Sequence, residues 1–461
     1  MAGVGGKYKA YPEYKDSGVE SMGTIPSAWG LVRAKNIFSI KKRIAGELGF
    51  DILSITQKGV KKKDIESGEG QLSMDYSKYQ LVFAGDFAMN HMDLLTGYVD
   101  ISPFNGVTSP DYRVFNIENT KDYVPEYYLY LLQNGYRQKL FFHLGQGSAH
   151  LGRWRLPTEA FNEILYPKPT KREQELIASF LDHETAKIDT LIEEQKTLIR
   201  LLQEKRQAVI SHVVTKGLNP DAPMKDSGVE WLGEVPEHWI VRRLKHVADL
   251  QSGIPKGKDL AGKITIEVPM LRVANVQDGY LKLNEVHKIH IEPDQLERYE
   301  LKKGDVLMNE GGDNDKLGRG AVWKGEIAPC IHQNHVFAIR PKDIEPEWLA
   351  LLTGSSYAKF HFYRVAKQST NLASISSSNI KETPLVIPPF EERRAIIDHL
   401  KTLMKKYDAI EAQGQDQVRL LTERRTALIS AAITGKIDVR DWKPTAHPQQ
   451  KHPEAPHEQT A

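Results

Sequence analysis

A single cysteine, Cys330, stands among 461 residues. That excludes a disulfide framework and a cysteine-based zinc site built within one chain, and it suits a reducing cytoplasm. No stretch approaches 18 uninterrupted apolar residues, so no membrane span is expected. The segment Met1 to Tyr11 has no apolar run of the kind that opens a signal peptide. An excess of one charge is missing too: 62 Lys and Arg face 60 Asp and Glu, a formal net charge of +2. A nucleic-acid partner therefore cannot be argued from net charge and has to rest on local basic patches.

Catalytic signatures are also absent. There is no Gly-x-x-x-x-Gly-Lys-Ser/Thr loop, so this chain is not expected to use ATP. An amino-methyltransferase needs an Asp or Asn before Pro-Pro-Tyr/Phe to hold the target amine. The nearest string, Ile387-Pro388-Pro389-Phe390, lacks that polar first residue and reads as the entry to a helix. Asp313-Asn314-Asp315-Lys316-Leu317-Gly318 has Leu at the fifth position of a calcium loop and Lys324 at the twelfth, so it reads as a plain turn. His332-Gln333-Asn334-His335 lacks the Glu of the helix-borne zinc-protease motif. No catalytic residue, no metal site and no cofactor in this chain is the expectation.

What is present is a long internal repeat. Lys15-Asp16-Ser17-Gly18-Val19-Glu20 recurs as Lys225-Asp226-Ser227-Gly228-Val229-Glu230, followed in register by Gly23, Pro26, Trp29 and by Gly233, Pro236, Trp239. Further on, Gly85-Asp86 through Met89-Asn90 matches Gly304-Asp305 through Met308-Asn309. Pro125-Glu126-Tyr127 matches Pro346-Glu347-Trp348, and Leu201–Arg206 matches Leu420–Arg425. The offset drifts from 210 to about 220, so the second half carries roughly ten extra residues, placed in loops by this reading. A period this long marks a domain duplication, since solenoid repeats run to about 20–50 residues. Each repeat reads as short strands and turns, with a helix after each Pro-Glu-aromatic.

A Pro-rich exit, Tyr166–Pro169 or Ile387–Phe390, then opens a long helical pattern. In the first copy, alternating steps of four and three select Ile177, Leu181, Glu184, Ile188, Leu191, Gln195, Leu198, Leu202, Lys205, Val209 and His212, of which seven are apolar. That is a heptad seam seeking a partner. In the second copy Ile397, Tyr407, Ile410, Leu421 and Leu428 keep the stripe, while Gly414 predicts a bend or fray, because a mid-helix Gly costs about 1 kcal/mol relative to Ala. The expected fold is α+β: two duplicated mixed α/β domains separated by long helices that pair as a coiled coil, in either orientation. The divisions are an N-terminal extension (1–14), domains at 15–168 and 218–388, helical spacers at 169–217 and 389–437, and a disordered tail (438–461).

The arrangement resembles the specificity subunits of type I restriction-modification systems over about residues 14–440. The resemblance rests on the duplicated Lys-Asp-Ser-Gly-Val-Glu with its Pro and Trp, the Gly-Asp-aliphatic element, and the Pro-rich exit into a helix beginning Arg172-Glu173-Gln174. The helix ends add Thr215-Lys216-Gly217-Leu218 and Thr434-Gly435-Lys436-Ile437-Asp438. The second exit departs from the pattern, with Glu391-Glu392-Arg393-Arg394 where the first has Lys171-Arg172-Glu173-Gln174. The resemblance implies a non-catalytic, cytoplasmic subunit with two target recognition domains, each reading half of a split, asymmetric double-stranded DNA site. It implies two modification (methyltransferase) subunits and restriction (motor-nuclease) subunits as partners. S-adenosylmethionine, ATP and Mg would sit on those partners. The alternative is a stand-alone DNA methyltransferase or nuclease with diverged motifs; an adaptor binding only protein would not need two globular halves.

Base edges in the major groove are read by Arg, Lys, Asn and Gln, while phosphate contacts position without specifying. First-domain candidates are the stretch Lys41-Lys42-Arg43, Lys58 with Lys61, Lys62 and Lys63, then Asn90, and the segment His150-Leu151-Gly152-Arg153-Trp154-Arg155, which gives His150, Arg153 and Arg155. Its second-domain counterpart, Asn371 to Ser374 preceded by Lys367 and Gln368, gives those two and Asn371. Lys256, Lys258, Arg272, Asn275, Asn309 and Arg319 complete the set. A helix from about Arg172 to Thr215 would span roughly 65 Å at 1.5 Å per residue, more than one turn of B-DNA, about 34–36 Å.

Overall fold

The computed structural model describes residues 8–64, 76–147, 154–255, 260–312, 317–368 and 373–444. By contact density the chain divides into two units. One comprises residues 1–195 with 416–461, the other residues 196–415. Each unit holds one sequence repeat and part of both long helices, here termed the central helix (Lys171–Lys216) and the C-terminal helix (Phe390–Ile433). Among the described residues no helix is long and apolar enough to cross a membrane.

The first unit is built on a four-stranded antiparallel sheet in the order Ser39–Lys41, Arg113–Asn116, Phe87–Met89, Val99–Ile101. The second unit has the same sheet in the same order: Ala248–Ser252, Val336–Pro341, Val306–Asn309, Gly320–Val322. The Gly-Asp element repeats because it makes the turn into the third strand of each sheet. Gly85 (φ +92°) and Gly304 (φ +96°) occupy a backbone region that side-chain-bearing residues avoid. The Asp that follows closes the turn with its carboxylate, which accepts the N–H of Phe83 (2.9 Å) or of Lys302 (2.8 Å). Both carboxylates are buried and each is neutralised by an arginine from a different place in the repeat: Arg43, just after the strand Ser39–Lys41, for Asp86, and Arg340, within the strand Val336–Pro341 and bidentate at 2.7 Å, for Asp305. A buried carboxylate persists only when paired in this way.

The opening motif is likewise a turn. Asp16 and Asp226 accept the N–H of Gly18 and Gly228, and Ser17 and Ser227 accept that of Val19 and Val229. Beyond it, Trp29 and Trp239 are fully buried, and each ties a helix start to a helix end. In the first unit Trp29 Nε1 donates to Glu173 (3.3 Å), and Gly435 lies against Pro26 and the Trp29 ring. In the second, Trp239 Nε1 donates to Glu392 (3.1 Å) and Gly217 lies against its ring.

This pairing corrects the register of the second exit. Glu392, rather than Arg393, is the counterpart of Glu173, and Arg393 that of Gln174. The two latter residues do one job with different chemistry. Gln174 Oε1 accepts the N–H of Val124 (2.9 Å), just before the helix Pro125–Arg137. Arg393 bonds Glu345 (2.7 Å), just before the helix Pro346–Thr353. The string Ile387–Phe390 runs from a strand into the first residue of the C-terminal helix, and Pro388 O accepts from Arg393 (2.9 Å).

In each unit the two long helices lie antiparallel. In the second unit Gln203 bonds Glu411 (2.7 Å) and, farther along the central helix, Arg206 bonds the earlier Asp408. In the first, Arg425 grips Asp189 through two bonds (2.7 and 3.0 Å), and Ile177, Leu181 and Ile188 share a core with Leu428, Ile429 and Ile433. The expected seam is only partly the buried stripe. Ile177, Leu181, Ile188, Ile397 and Leu428 are buried; Leu202, Val209, Tyr407 and Leu421 are half-buried; Leu191 and Leu198 are each 47% exposed and Ile410 46%. Burial passes from Ile188 to Ile192, so the stripe drifts away from the four-three pattern, as a straight helix does by about 20° per heptad. Gly414 interrupts nothing: the C-terminal helix runs unbroken through it, and Gly414 is buried.

Three further expectations change. The extra residues of the second repeat are not plain loop. That region holds the strand Ile266–Leu271, paired antiparallel with His287–Ile291 and parallel with Ile331–His332, and the helix Pro293–Tyr299. The residues before Tyr14 belong to the first unit, where Tyr11 is buried and Tyr8 bonds Glu184 (3.0 Å). Residues 438–444, assigned to a disordered tail, also pack there: Val439 is buried and Trp442 meets the Phe180 ring edge-on at 5.5 Å.

Candidate nucleic-acid interface

In each unit the strand that follows the Gly-Asp turn runs up to an asparagine and delivers the chain to a small hairpin. In the first unit the strand Phe87–Met89 leads to Asn90. His91 O then accepts the N–H of Leu156 (2.9 Å), Leu94 donates to Trp154 O (2.9 Å), and Gln146 and Arg155 exchange both backbone bonds (2.8 and 3.1 Å). Arg155 is exposed on this hairpin leg, while Trp154 is held by a bond from its Nε1 to Phe142 O (2.7 Å). In the second unit Glu310 O accepts the N–H of Ile375 (2.9 Å), and Gly311-Gly312 pairs with Ala373-Ser374, which pairs with Lys367-Gln368. A Cβ at Gly311 would lie 2.5 Å from Ala373 O, so only glycine lets the two backbones approach this closely. Lys367 and Gln368 are exposed at the edge of this sheet.

The structure thus gathers Asn90 and Arg155 at one edge of the first unit. It gathers Asn309, Arg319, Lys367 and Gln368 at the corresponding edge of the second, where Asn309 donates its N–H to Arg319 O (2.9 Å). His150, Arg153, Lys256, Lys258 and Asn371 lie outside the described residues. Lys58 and Lys61 are exposed on a separate hairpin, Leu53–Thr56 with Gly59–Lys62. Lys62 there is engaged with Asp51 (2.6 Å) and lies 5.4 Å from the Phe104 ring centre; Lys63 is half-buried.

Two candidates are corrected by their burial. Asn275 accepts the Arg272 N–H (2.9 Å) and donates to Lys282 O and Glu285 O (both 2.9 Å), so its amide is spent on closing a loop. Asn309 is buried and donates to Val276 O (3.0 Å). Both amides hold backbone in place and face no solvent, so neither can reach a base edge in this conformation. Arg272 is half-buried, with its Nε enclosed and unpaired among the described residues.

Sequence reasoning missed a cluster beneath the first hairpin. Arg113 is buried; its Nη2 donates to Leu156 O (3.0 Å) and Thr158 (3.2 Å), and its guanidinium lies 4.6 Å from the Phe161 ring centre. Burial lowers its pKa to about 10, a sign of a cation with little carboxylate support. Burial, then the Arg113 charge, push His91 down to about 4, so its imidazole is neutral at pH 7. Tyr136 donates to Asn90 O (2.8 Å). The second unit has an exposed pair at the equivalent edge, His335 to Glu310 (2.7 Å). The available signal was position: His91 and Glu310 directly follow the repeated asparagine. Cys330 is buried, and its thiol is pushed up to about 12 by that burial, which leaves it unreactive.

Comparison with known proteins gives a consistent answer. Residues 236–420 match the model of a family described as the type I restriction modification DNA specificity domain. The type I restriction enzyme EcoKI specificity subunit of Escherichia coli (strain K12) is 23% identical over 290 residues, 62% of this chain and 60% of that protein. The type I restriction enzyme MjaIX specificity subunit of Methanocaldococcus jannaschii is 21% identical over 453 residues, 94% of this chain and 99% of the relative. Among solved structures, a chain described under complex assembly and conformational transition of the type I R-M system superposes with a TM-score of 0.65. It is 16% identical, over 90% of this chain and 99% of that one, and shows the same fold.

Proposed function

We propose that this relative of the type I restriction-modification specificity subunits selects the DNA site of such a complex, each of its two units reading one half of a split, asymmetric sequence. One observation carries the reading. Both units present the same construction, a Gly-Asp turn, a strand running up to Asn and a docked hairpin, yet the side chains displayed on it differ: Arg155 in one, Lys367 and Gln368 in the other. Two readers of one design with different polar groups read two different words, because arginine favours guanine and an amide favours adenine. Exposed Lys58 and Lys61 supply phosphate contacts that position without specifying.

The long helices serve partners as well as spacing. Leu198, Leu201 and Ile410 leave apolar surface open in the second unit, and contiguous exposed apolar surface marks an interaction site. Two modification subunits and the restriction subunits of a cytoplasmic complex are the proposed occupants of such surface. The chemistry, with S-adenosylmethionine, ATP and Mg, would reside on those partners and not on this chain.

The test is a domain exchange. Residues 15–168 are replaced by the equivalent domain of another specificity subunit, the partners are co-expressed, and methylated adenines are mapped across the host genome. One half of the bipartite motif should change and the other stay. A change in both halves would refute the modular reading.

A further inference from the structure

The two opening turns diverge in size at one place: Ser21 in the first repeat stands where the second has Trp231. In the second unit Trp231 lies flat on His361, ring centres 5.5 Å apart and planes 11° off parallel, with the Arg364 guanidinium 5.0 Å from its ring. Alongside, the hydroxyl of Ser211 on the central helix accepts the N–H of Ser356 at the start of the helix Ser356–Val365 (2.8 Å). The opening turn, that short helix and the end of the central helix are thus joined around the chain's own indole.

The first unit keeps the opening turn and the end of a long helix but lacks the indole, and between Pro125–Arg137 and the hairpin its described residues form only the short 3₁₀ turn Phe142–Leu144. Leu156 and Ile375 dock their hairpin legs in the same way, so the stretch from Pro125 to Leu156 is two residues longer than that from Pro346 to Ile375; Leu140–Leu144 follows its helix as Ser356–Val365 follows Pro346–Thr353, and Ser430 is the counterpart of Ser211. Ser21 is exposed. Instead of a filled contact there is a cleft of about 1100 Å³, lined by Ser21, Leu140, Phe141, Ala427, Ser430 and Ala431 among others. The lining is largely apolar, with Glu423 and Arg424 adding charge, which is the character of a binding cleft rather than of a packing defect.

We propose that this cleft receives, from a partner polypeptide, the planar aromatic side chain that the second repeat provides from within as Trp231. The inference rests on the reading that the chain works in a multi-subunit complex. A polypeptide fits better than a free small molecule. The cleft runs along the small residues Ala427 and Ala431, where a backbone can approach closely, and Ser430 is placed to cap a docked helix as Ser211 caps Ser356. Residues 445–461 contain no Phe, Trp or Tyr that could enter the cleft.

The experiment uses the full chain and two readouts. 5-Fluoroindole is titrated by fluorine NMR against wild type, Ser21→Ala and Ser21→Trp, and the affinity of each for the cognate modification subunit is measured. Saturable fluoroindole binding is expected in wild type and Ser21→Ala and is expected to vanish in Ser21→Trp, whose own indole fills the cleft. Ser21→Trp should also weaken assembly about tenfold or more, the loss typical of an aromatic anchor, with Ser21→Ala unchanged. Ala431→Leu, which narrows the same cleft from the helix side, should repeat the pattern if Ser21→Trp disturbs folding. Absence of saturable binding to wild type overturns the proposal. So does binding that is lost in Ser21→Trp while assembly is untouched, which would leave the cleft to free aromatic compounds. Neither outcome depends on the methylation motif, so failure here is separable from failure of the split-site reading.

Discussion

His91 shows how one side chain couples the hairpin to pH. Burial first, and the Arg113 charge second, keep its imidazole neutral down to about 4, against an ordinary value of 6.5. Above 6.5 both folded and unfolded chains carry it neutral and it contributes no pH dependence. Between 6.5 and about 4 only the unfolded chain takes up the proton, so stability falls as pH falls through that window. His91→Gln should flatten this loss, measured as the urea midpoint of the first unit's transition from pH 7 to 4. The paired carboxylates of the Gly-Asp turns make a second contrast at this scale. Asp305 is buried and bidentate to Arg340, whereas Asp249 and Lys342 pair in the open. Asp305→Ala should cost on the order of 3 kcal/mol by leaving a charge and a turn N–H unpaired, while Lys342→Ala should change stability by less than about 0.5 kcal/mol. Thermal denaturation of the two variants distinguishes them.

Among the elements, the long helices carry the largest difference between pattern and packing. A four-three repeat selects Leu191 and Leu198 as readily as Ile188, yet the buried stripe follows the natural 3.6-residue turn and leaves them exposed. Leu428→Ala, at a site 3% exposed, should therefore cost on the order of 3 kcal/mol. Leu191→Ala should cost less than about 0.5 kcal/mol. Equal costs in chemical denaturation would restore the heptad seam. Gly414 teaches the same lesson from the opposite side: its intrinsic helix cost is small beside the packing of a 44-residue helix, and it stays within it.

For the whole molecule the proposed function makes DNA binding by a complex with partner subunits the quantity to measure. Lys58 and Lys61 project from a hairpin turn and its strand into solvent. Their joint replacement by Ala should weaken binding to all sequences alike. It should lower the slope of log affinity against log salt by about two, one released counterion per lysine. Loss of discrimination between sites, with an unchanged slope, would instead make them base readers. The methylation motif should be the same in the double variant as in wild type.

The duplication, the Pro-rich exits and the long helices were legible in the residue order, because each depends on local chemistry. A Gly-Asp turn, a Pro at a helix start and a buried Trp need the same neighbours wherever they occur. The tertiary structure alone decided which polar groups face solvent. Asn275 and Asn309 carry the same amide as a base-reading residue, and only the surrounding backbone reveals that both are buried with their N–H groups turned to carbonyls. It alone aligned Glu392 with Glu173, because Arg393 and Gln174 share a task without sharing chemistry. It also brought Tyr8–Tyr14 and residues 438–444 into one core: these segments have no periodicity to announce a partner some four hundred residues away, and the burial of Tyr11 and Val439, with Trp442 packed against them half-buried, is a property of the assembled unit.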